Sequence, residues 1–214
     1  MKVHSDFSGR TVPVVGPASG VGRATVLACV AAGAGTLART GRVDAAILSS
    51  AIQQRAPIED IGDDQWQRHL NVNPSGVFYF LRALFPVMKR YRFGSVLAFT
   101  SGLANNGWRG AAAYATSKTG IVGLVTCAAH ELRPFGVRIN AVSPGLVATP
   151  VFLQSASADE LAMYERALGI STPDEVVPTL MHLISDGAAS ISGNIIERRL
   201  IPRAGDAPVQ DEDS

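Results

Sequence analysis

Three side chains in the middle of the chain are spaced to share one reaction. Ser101 closes a short apolar run, Val96-Leu97-Ala98-Phe99-Thr100, which reads as a buried strand. Tyr114 and Lys118 stand four residues apart in Ala-Ala-Ala-Tyr-Ala-Thr-Ser-Lys. On a helix that spacing puts phenol and ammonium on one face, one turn apart. An ammonium beside a phenol favours the phenolate, so the pairing predicts that the Tyr114 pKa falls from about 10 toward working pH. A hydroxyl from Ser101 would hold a carbonyl or alcohol oxygen against that phenol. The set is an acid/base device for a carbon–oxygen centre. Alone, the Tyr-Lys pair also fits a half-buried Tyr beside a surface Lys. The strand-ending Ser and the segments around it favour the chemical reading.

Such groups need a frame. The chain has 214 residues, is 47% hydrophobic and only 17% charged. One domain with a sizeable core is expected, over residues 1–203, followed by a polar, acidic tail at 204–214 that reads as disordered. A net charge of +1 gives no reason to expect nucleic acid or an anionic membrane as partner. No apolar run reaches membrane-spanning length, and no signal-peptide core precedes the first strand, so a cytoplasmic protein is expected. Cys29 and Cys127 fall in apolar helical patterns and read as small buried hydrophobes. His4, His69, His130 and His182 show no metal-ligand spacing.

A first strand is expected at Thr11–Val15, although it contains Pro13. The turn Gly16-Pro17-Ala18-Ser19-Gly20-Val21-Gly22 follows, then an Ala-rich helix from Arg23 to Ala32. A glycine turn between strand and helix brings backbone N–H groups and a helix N-terminus to a phosphate. A second strand is expected in Val43–Ala51, and a helix with an Asp cap at Asp63–Asn73. Ser75–Lys89 reads as a helix kinked or ended by Pro86, and Gly94–Thr100 as a strand. A helix at Ala112–Leu132 carries Tyr114 and Lys118, and another strand spans Val137–Val142. Thr172-Pro173-Asp174-Glu175 is a capping box that opens a helix running to about Ser185. The last strand is expected within Gly193–Ile201.

In these segments the chain resembles the short-chain dehydrogenase/reductase family, from about Ser8 to Ile201. That resemblance implies an α/β fold, a truncated Rossmann-like parallel sheet with flanking helices. It implies a catalytic set of Asn73, Ser101, Tyr114 and Lys118. Asn73, in Val72-Asn73-Pro74-Ser75-Gly76, matches the family's helix-bend Asn, which holds a water in a proton relay to the Lys. Gly16, Ser19, Gly20, Val21, Gly22, Ser50 and Ala51, with Tyr114 and Lys118, would line NAD or NADP. Pro144, Gly145, Val147 and Thr149 match the segment that binds the nicotinamide carboxamide. Leu103–Gly110 would be a loop over the site, with Trp108 and Arg109 either lining a substrate pocket or simply exposed. Val151–Ile170 would be a substrate lid.

The sequence departs from the family pattern at several points. Val15 replaces the Thr before the glycine turn, and Pro17 removes a backbone donor from it. Ser49-Ser50-Ala51-Ile52 stands where the family has Asn-Asn-Ala-Gly, and Arg198-Arg199-Leu200 where it has Asp-Gly-Gly. Between Gly22 and Val43 there is no room for the family's second and third strands, at about 30 residues per unit. The acidic residue expected on the adenosine ribose then has no strand to sit on, and Asp44 lies at the wrong end of the next one. Without those strands the first strand becomes an edge, where Pro13 is tolerated. Right-handed crossovers laid in one direction would leave one sheet face short of helices, which points to a homodimer or homotetramer. The resemblance thus implies an NAD(P)-dependent carbonyl/alcohol oxidoreductase of a small molecule, with the adenosine half-site missing. A non-redox isomerase, lyase or cyclase using Tyr114, and a silent dimerisation partner, are the other readings.

Overall fold

The strands of this chain are apolar at nearly every position because both their faces are covered. In the computed structural model, which describes residues 6–16, 18–34 and 42–198, five strands form one sheet in the order β1-β2-β3-β4-β5. They are β1 (Val14–Val15), β2 (Ala45–Leu48), β3 (Gly94–Phe99), β4 (Val137–Ser143) and β5 (Ile195–Glu197). Every neighbouring pair is parallel. Side chains alternate between faces along each strand. Ala45, Ile47, Leu97 and Phe99 enter one core, while Ala46, Leu48, Val96 and Ala98 enter the other. This is the α/β architecture expected, a truncated Rossmann-like sheet with flanking helices.

The helices are α1 (Gly20–Ala31), α2 (Asp63–Val72), α3 (Pro74–Tyr91), α4 (Leu103–Asn106), α5 (Ala112–Leu132), α6 (Pro150–Ser155), α7 (Ala158–Ala167) and α8 (Pro173–Ile184). The first core lies under α1 and α8, which pack on each other. The second lies under α3 and α5. Helix α5 has the bounds read from its sequence. Helix α8 opens on the expected capping box, with Thr172 and Glu175 bonded reciprocally. Helix α3 continues through Pro86 to Tyr91, and a short helix α4 occupies part of the expected loop. Helix α2 has Gly62 as its N-cap, with no side-chain cap; Asp63 and Asp64 lie in its first turn, where they complement the helix dipole. Cys29 is buried as expected, but Cys127 is exposed on α5.

Two further expectations are corrected. The face expected to lack helices is covered, because α1 and α8 lie on it. The four steps of the sheet all run in the same lateral direction between parallel strands. Steps through α1 and α8 use one face, and steps through α3 and α5 the other. Those two pairs of crossovers therefore have opposite hand, and one pair departs from the usual right-handed rule. The second correction concerns Pro13. Among the described residues β1 is an edge strand, but the Pro13 carbonyl accepts from Ile47 N–H at 3.0 Å. The N side of Pro13 thus faces β2 rather than the open edge. A donor is missing from the ladder there, which is why regular pairing shrinks to Val14–Val15. Pro17, the segment 35–41 and the tail 204–214 lie outside the described residues.

Candidate active site

In a parallel sheet all the strand ends that precede helices lie at one pole. Here that pole gathers Gly16 after β1, Ser49 and Ser50 after β2, Ser101 after β3 and Pro144 after β4. Helix α5 crosses this pole with its first turns, bringing Tyr114 and Lys118 to Ser101. The Lys118 side chain is almost wholly buried and donates Nζ–H to the Phe99 carbonyl at 2.8 Å. Its Nζ lies 5.7 Å from the centre of the Tyr114 ring. The Ser101 hydroxyl is near enough to the Tyr114 phenol to pull its pKa down. Thr100 Oγ1 donates to the Lys118 carbonyl at 3.1 Å, which fixes α5 to the end of β3.

The electrostatics differ from the expectation. Tyr114 is half-buried as a whole residue, but its hydroxyl end is the crowded one. Burial pushes the phenol up to about 12, against the pull of the Ser101 hydroxyl. Burial also drives the Lys118 ammonium down to about 7. The predicted fall of the Tyr114 pKa is therefore reversed. Loss of hydration outweighs a neighbour whose own charge is weakened by the same loss.

Asn73 sits at the junction of α2 and α3, fully buried. Its Oδ1 accepts from Ile52 N–H at 2.9 Å, and its Nδ2 donates to the Ile52 carbonyl at 3.1 Å and to Ser117 Oγ at 2.8 Å. Ser117 Oγ in turn donates to the Tyr114 carbonyl at 2.7 Å. Asn73 thus joins the segment after β2 to the first turns of α5. Ser117 was not singled out from the sequence. Its position, three residues after Tyr114 and one before Lys118, was the available signal.

The glycine turn is built for close approach. Gly16 has φ +81° and a side chain there would meet Ser50 Oγ at 2.8 Å. Gly20 has φ +54° and lies against the Thr149 methyl group, 2.9 Å from where a Cβ would stand. A Cβ on Gly22 would collide with the Gly16 carbonyl. Ser19 caps α1 without a side-chain bond, and no acidic residue occupies the first turn, so no side chain there competes with an anion for the first N–H groups. Ser49 Oγ donates to the Val15 carbonyl at 2.6 Å and ties the ends of β1 and β2 together. Ser50 and Ala51 are exposed beside this turn, and Val21 is buried in α1.

Across the pole, Gly145 has φ +78°, and Val147 is buried and bridged to Ser171. Thr149 Oγ1 accepts from Phe152 N–H at 3.3 Å as the cap of α6. Arg198 holds this segment: its guanidinium donates to the Pro144 carbonyl at 2.8 Å and the Glu175 carbonyl at 3.0 Å. Sequence reading noted Arg198 only as a departure from a motif. Helices α6 and α7 occupy the segment expected to be a lid. Phe152 and Trp108 both pack on the Tyr164 ring, at 6.0 and 5.8 Å between centres. Arg109 is exposed. Arg55 Nη1 pairs with Glu160 on α7 at 2.8 Å.

These residues fit the nicotinamide, ribose and phosphate portion of a dinucleotide: an uncapped helix start, glycines that leave no room for side chains, and Lys118. Asp44 lies at the opposite pole, 2% exposed, accepting from Thr11 N–H at 2.8 Å and paired with Arg42 at 2.6 Å. It is out of reach of a ribose at the glycine turn. A cavity of about 660 Å³, lined by Asp44, Ser95, Arg138 and Asp186 among others, opens at that opposite pole and takes no part in this site. Among the described residues no cluster of His, Cys, Asp or Glu could hold a metal, and no helix is long and apolar enough to cross a membrane.

Comparison with known proteins gives a consistent picture. The profile of the family described as Enoyl-(Acyl carrier protein) reductase matches residues 24–197. The chain is 34% identical over 167 residues to the (5R,7aS)-5-hydroxy-7a-methyl-1-oxo-2,3,5,6,7,7a-hexahydro-1H-indene-carboxyl-CoA reductase of Mycobacterium tuberculosis, covering 75% of this chain and 63% of that protein. It is 32% identical over 158 residues to the 3-oxoacyl-[acyl-carrier-protein] reductase FabG of Thermotoga maritima, covering 73% and 64%. It is 32% identical over 162 residues to the cyclopentanol dehydrogenase of a Comamonas species, covering 74% and 65%. The chain thus matches under two thirds of the length of these relatives. Among solved structures, one assigned as an NAD(P)-dependent gluconate 5-dehydrogenase from Beutenbergia cavernae, with NADP at low occupancy, is 28% identical with a TM-score of 0.84. That superposition covers 90% of this chain and 96% of the other.

Proposed function

This chain belongs to the short-chain dehydrogenase/reductase family, as a shortened member, and from that premise we propose that it interconverts a carbonyl and an alcohol with a nicotinamide cofactor. The observation that carries the reading is Lys118, buried and anchored to the Phe99 carbonyl beneath the Tyr114–Ser101 pair. A bound nicotinamide would supply or accept the hydride at carbon. Tyr114 gives its proton to the carbonyl oxygen in reduction and takes it back in oxidation. Ser101 holds that oxygen against the phenol. Burial keeps the phenol protonated near neutral pH, so the site is set for reduction there. Lys118, with its pKa near 7, would hold the ribose of a bound cofactor and can exchange a proton near neutral pH. The aromatic group Trp108, Tyr164 and Phe152 suits a substrate with an apolar body. The names of the relatives, reductases and dehydrogenases, support redox chemistry over isomerisation or elimination.

The cofactor would be held at Gly16, Ser19, Gly20, Val21, Gly22, Ser50, Ala51, Pro144, Gly145, Val147 and Thr149, with no adenosine subsite. Tight dinucleotide binding draws on contacts along the whole ligand, so NAD, NADP and nicotinamide mononucleotide should bind with similar, weak affinity. Calorimetry with the three ligands tests this. Micromolar NAD binding with the mononucleotide far weaker would show that an adenosine site exists. Tyr114→Phe should leave binding unchanged and lower turnover by about 10²–10⁴-fold. Wild-type rates in that variant would remove Tyr114 from the reaction.

A further inference from the structure

The segment after β2 connects three parts of the site. Ile52 is held by Asn73 through both its N–H and its carbonyl. Arg55 pairs with Glu160 on the lid helix α7. Ala56 N–H donates to the Gly110 carbonyl at 3.0 Å, beside the start of α5. Between these points the backbone has one further anchor, Gln54 N–H, which donates to His69 Nε2 at 3.1 Å. His69 is fully buried on α2, one turn before Asn73. Its Nδ1 lies 2.8 Å from the Gln65 carbonyl. A carbonyl can only accept, and the Gln54 N–H can only donate. The ring therefore has its proton on Nδ1 and a bare Nε2.

We propose that His69 is a positioning residue for the active site: its neutral imidazole clamps Gln54, and a second proton releases the segment that joins Asn73, the lid and the start of α5. Protonated Nε2 is a donor facing a donor, so the bond is replaced by repulsion. No compensating acid is in place. The charged groups of the elements around the ring are Asp63, Asp64 and Arg68 on α2, Arg55, Glu59 and Asp60 in the segment itself, Arg82, Lys89 and Arg90 on α3, and Lys118, His130 and Glu131 on α5. Among the described residues none of them is bonded to His69. Lys118 is turned to Phe99, Arg55 to Glu160, and Arg82 lies over the Phe78 and Tyr79 rings. This role rests on the proposed carbonyl chemistry only for its effect on rate; the clamp itself does not depend on it.

Amide hydrogen exchange reads the clamp without any substrate. From about pH 7.5 to about pH 5.5 the protection of the Gln54 amide should fall about fivefold or more in the wild type. The Ile52 amide, held by Asn73, should keep its protection. His69→Gln offers an uncharged acceptor near the Nε2 position and should hold Gln54 across the range. His69→Phe should leave Gln54 unprotected at every pH. If that variant does not fold, the wild type and His69→Gln suffice. The acid-side fall of turnover should be smaller in His69→Gln than in the wild type, the share set by Lys118 remaining. Gln54 protection that does not change with pH in the wild type, or that falls equally in His69→Gln, would overturn the proposal.

Discussion

Lys118 carries a cation into a place where, among the described residues, the one group bonded to its nitrogen is a backbone carbonyl. Burial alone sets its pKa near 7, below the 10.5 of an ordinary lysine. Between those values the unfolded chain holds the proton and the folded chain does not. Stability therefore rises with pH across that window, and the full penalty applies below about 7. Lys118→Met removes the penalty. Its stability relative to the wild type should improve from pH 10 to pH 6, by an amount on the order of a few kcal/mol. The variant also strips a donor from the Phe99 carbonyl, but that loss is independent of pH, so urea unfolding at several pH values separates the two. A relative stability that is flat with pH would mean the lysine stays charged in the fold. The pairing of Tyr114 with Lys118 was legible because helical spacing is written in the sequence. The direction of the Tyr114 shift was not, because it depends on burial, which spacing does not give. His69 and Arg198 were hidden for a related reason: their partners are backbone groups, which every residue carries alike.

Helix α8 shows what a local signal can and cannot do. Its capping box was readable because the residues that satisfy the first N–H groups are close in sequence. The helix buries Val176, Val177, Leu180, Met181, Leu183 and Ile184, so losing the cap should weaken the whole fold and not only one end. Thr172→Ala should cost about 1 kcal/mol and lower Tm by about 2–4 °C, measured by thermal unfolding followed by circular dichroism. An unchanged Tm would mean that Glu175 and Pro173 carry the helix start unaided. Strand β1 is the opposite case. Its apolar run suggested five residues, but Pro13 points its missing donor at β2, a direction that only the tertiary pairing decides. Helix α2 also shows the limit, since an acidic residue near a helix start serves as a cap in one register and as a first-turn charge in the next.

Over the whole molecule, exposed apolar surface lies in two places. The sheet face under α1 and α8 is covered, although α1 itself exposes Leu27 and Val30 at 54 and 65%. Helix α3 exposes Phe78, Tyr79 and Phe80, at 42, 55 and 43%. Arg82 stacks over the first two rings, and Gly123 on α5 has open space beside it. A dimer or larger assembly is therefore still the expectation, through this surface. Light scattering at micromolar concentration should give a mass at least twice 22.5 kDa, and Phe80→Glu should reduce it to that of one chain with the circular dichroism unchanged. A monomeric wild type would end this reading. The order of the strands has a separate consequence. The chain leaves β1, runs through α1 and returns to β2, which lies directly beside β1. A route whose exit and entrance adjoin is a detour, and a detour can be spliced out or lengthened without re-routing anything downstream. Because α1 lies on the opposite face from α3 and α5, its crossover differs in hand from theirs, and inserted strands could leave α1 on its present face. The junction between residues 34 and 42 is accordingly the place where a two-strand cassette could be grafted back, with both ends already in position.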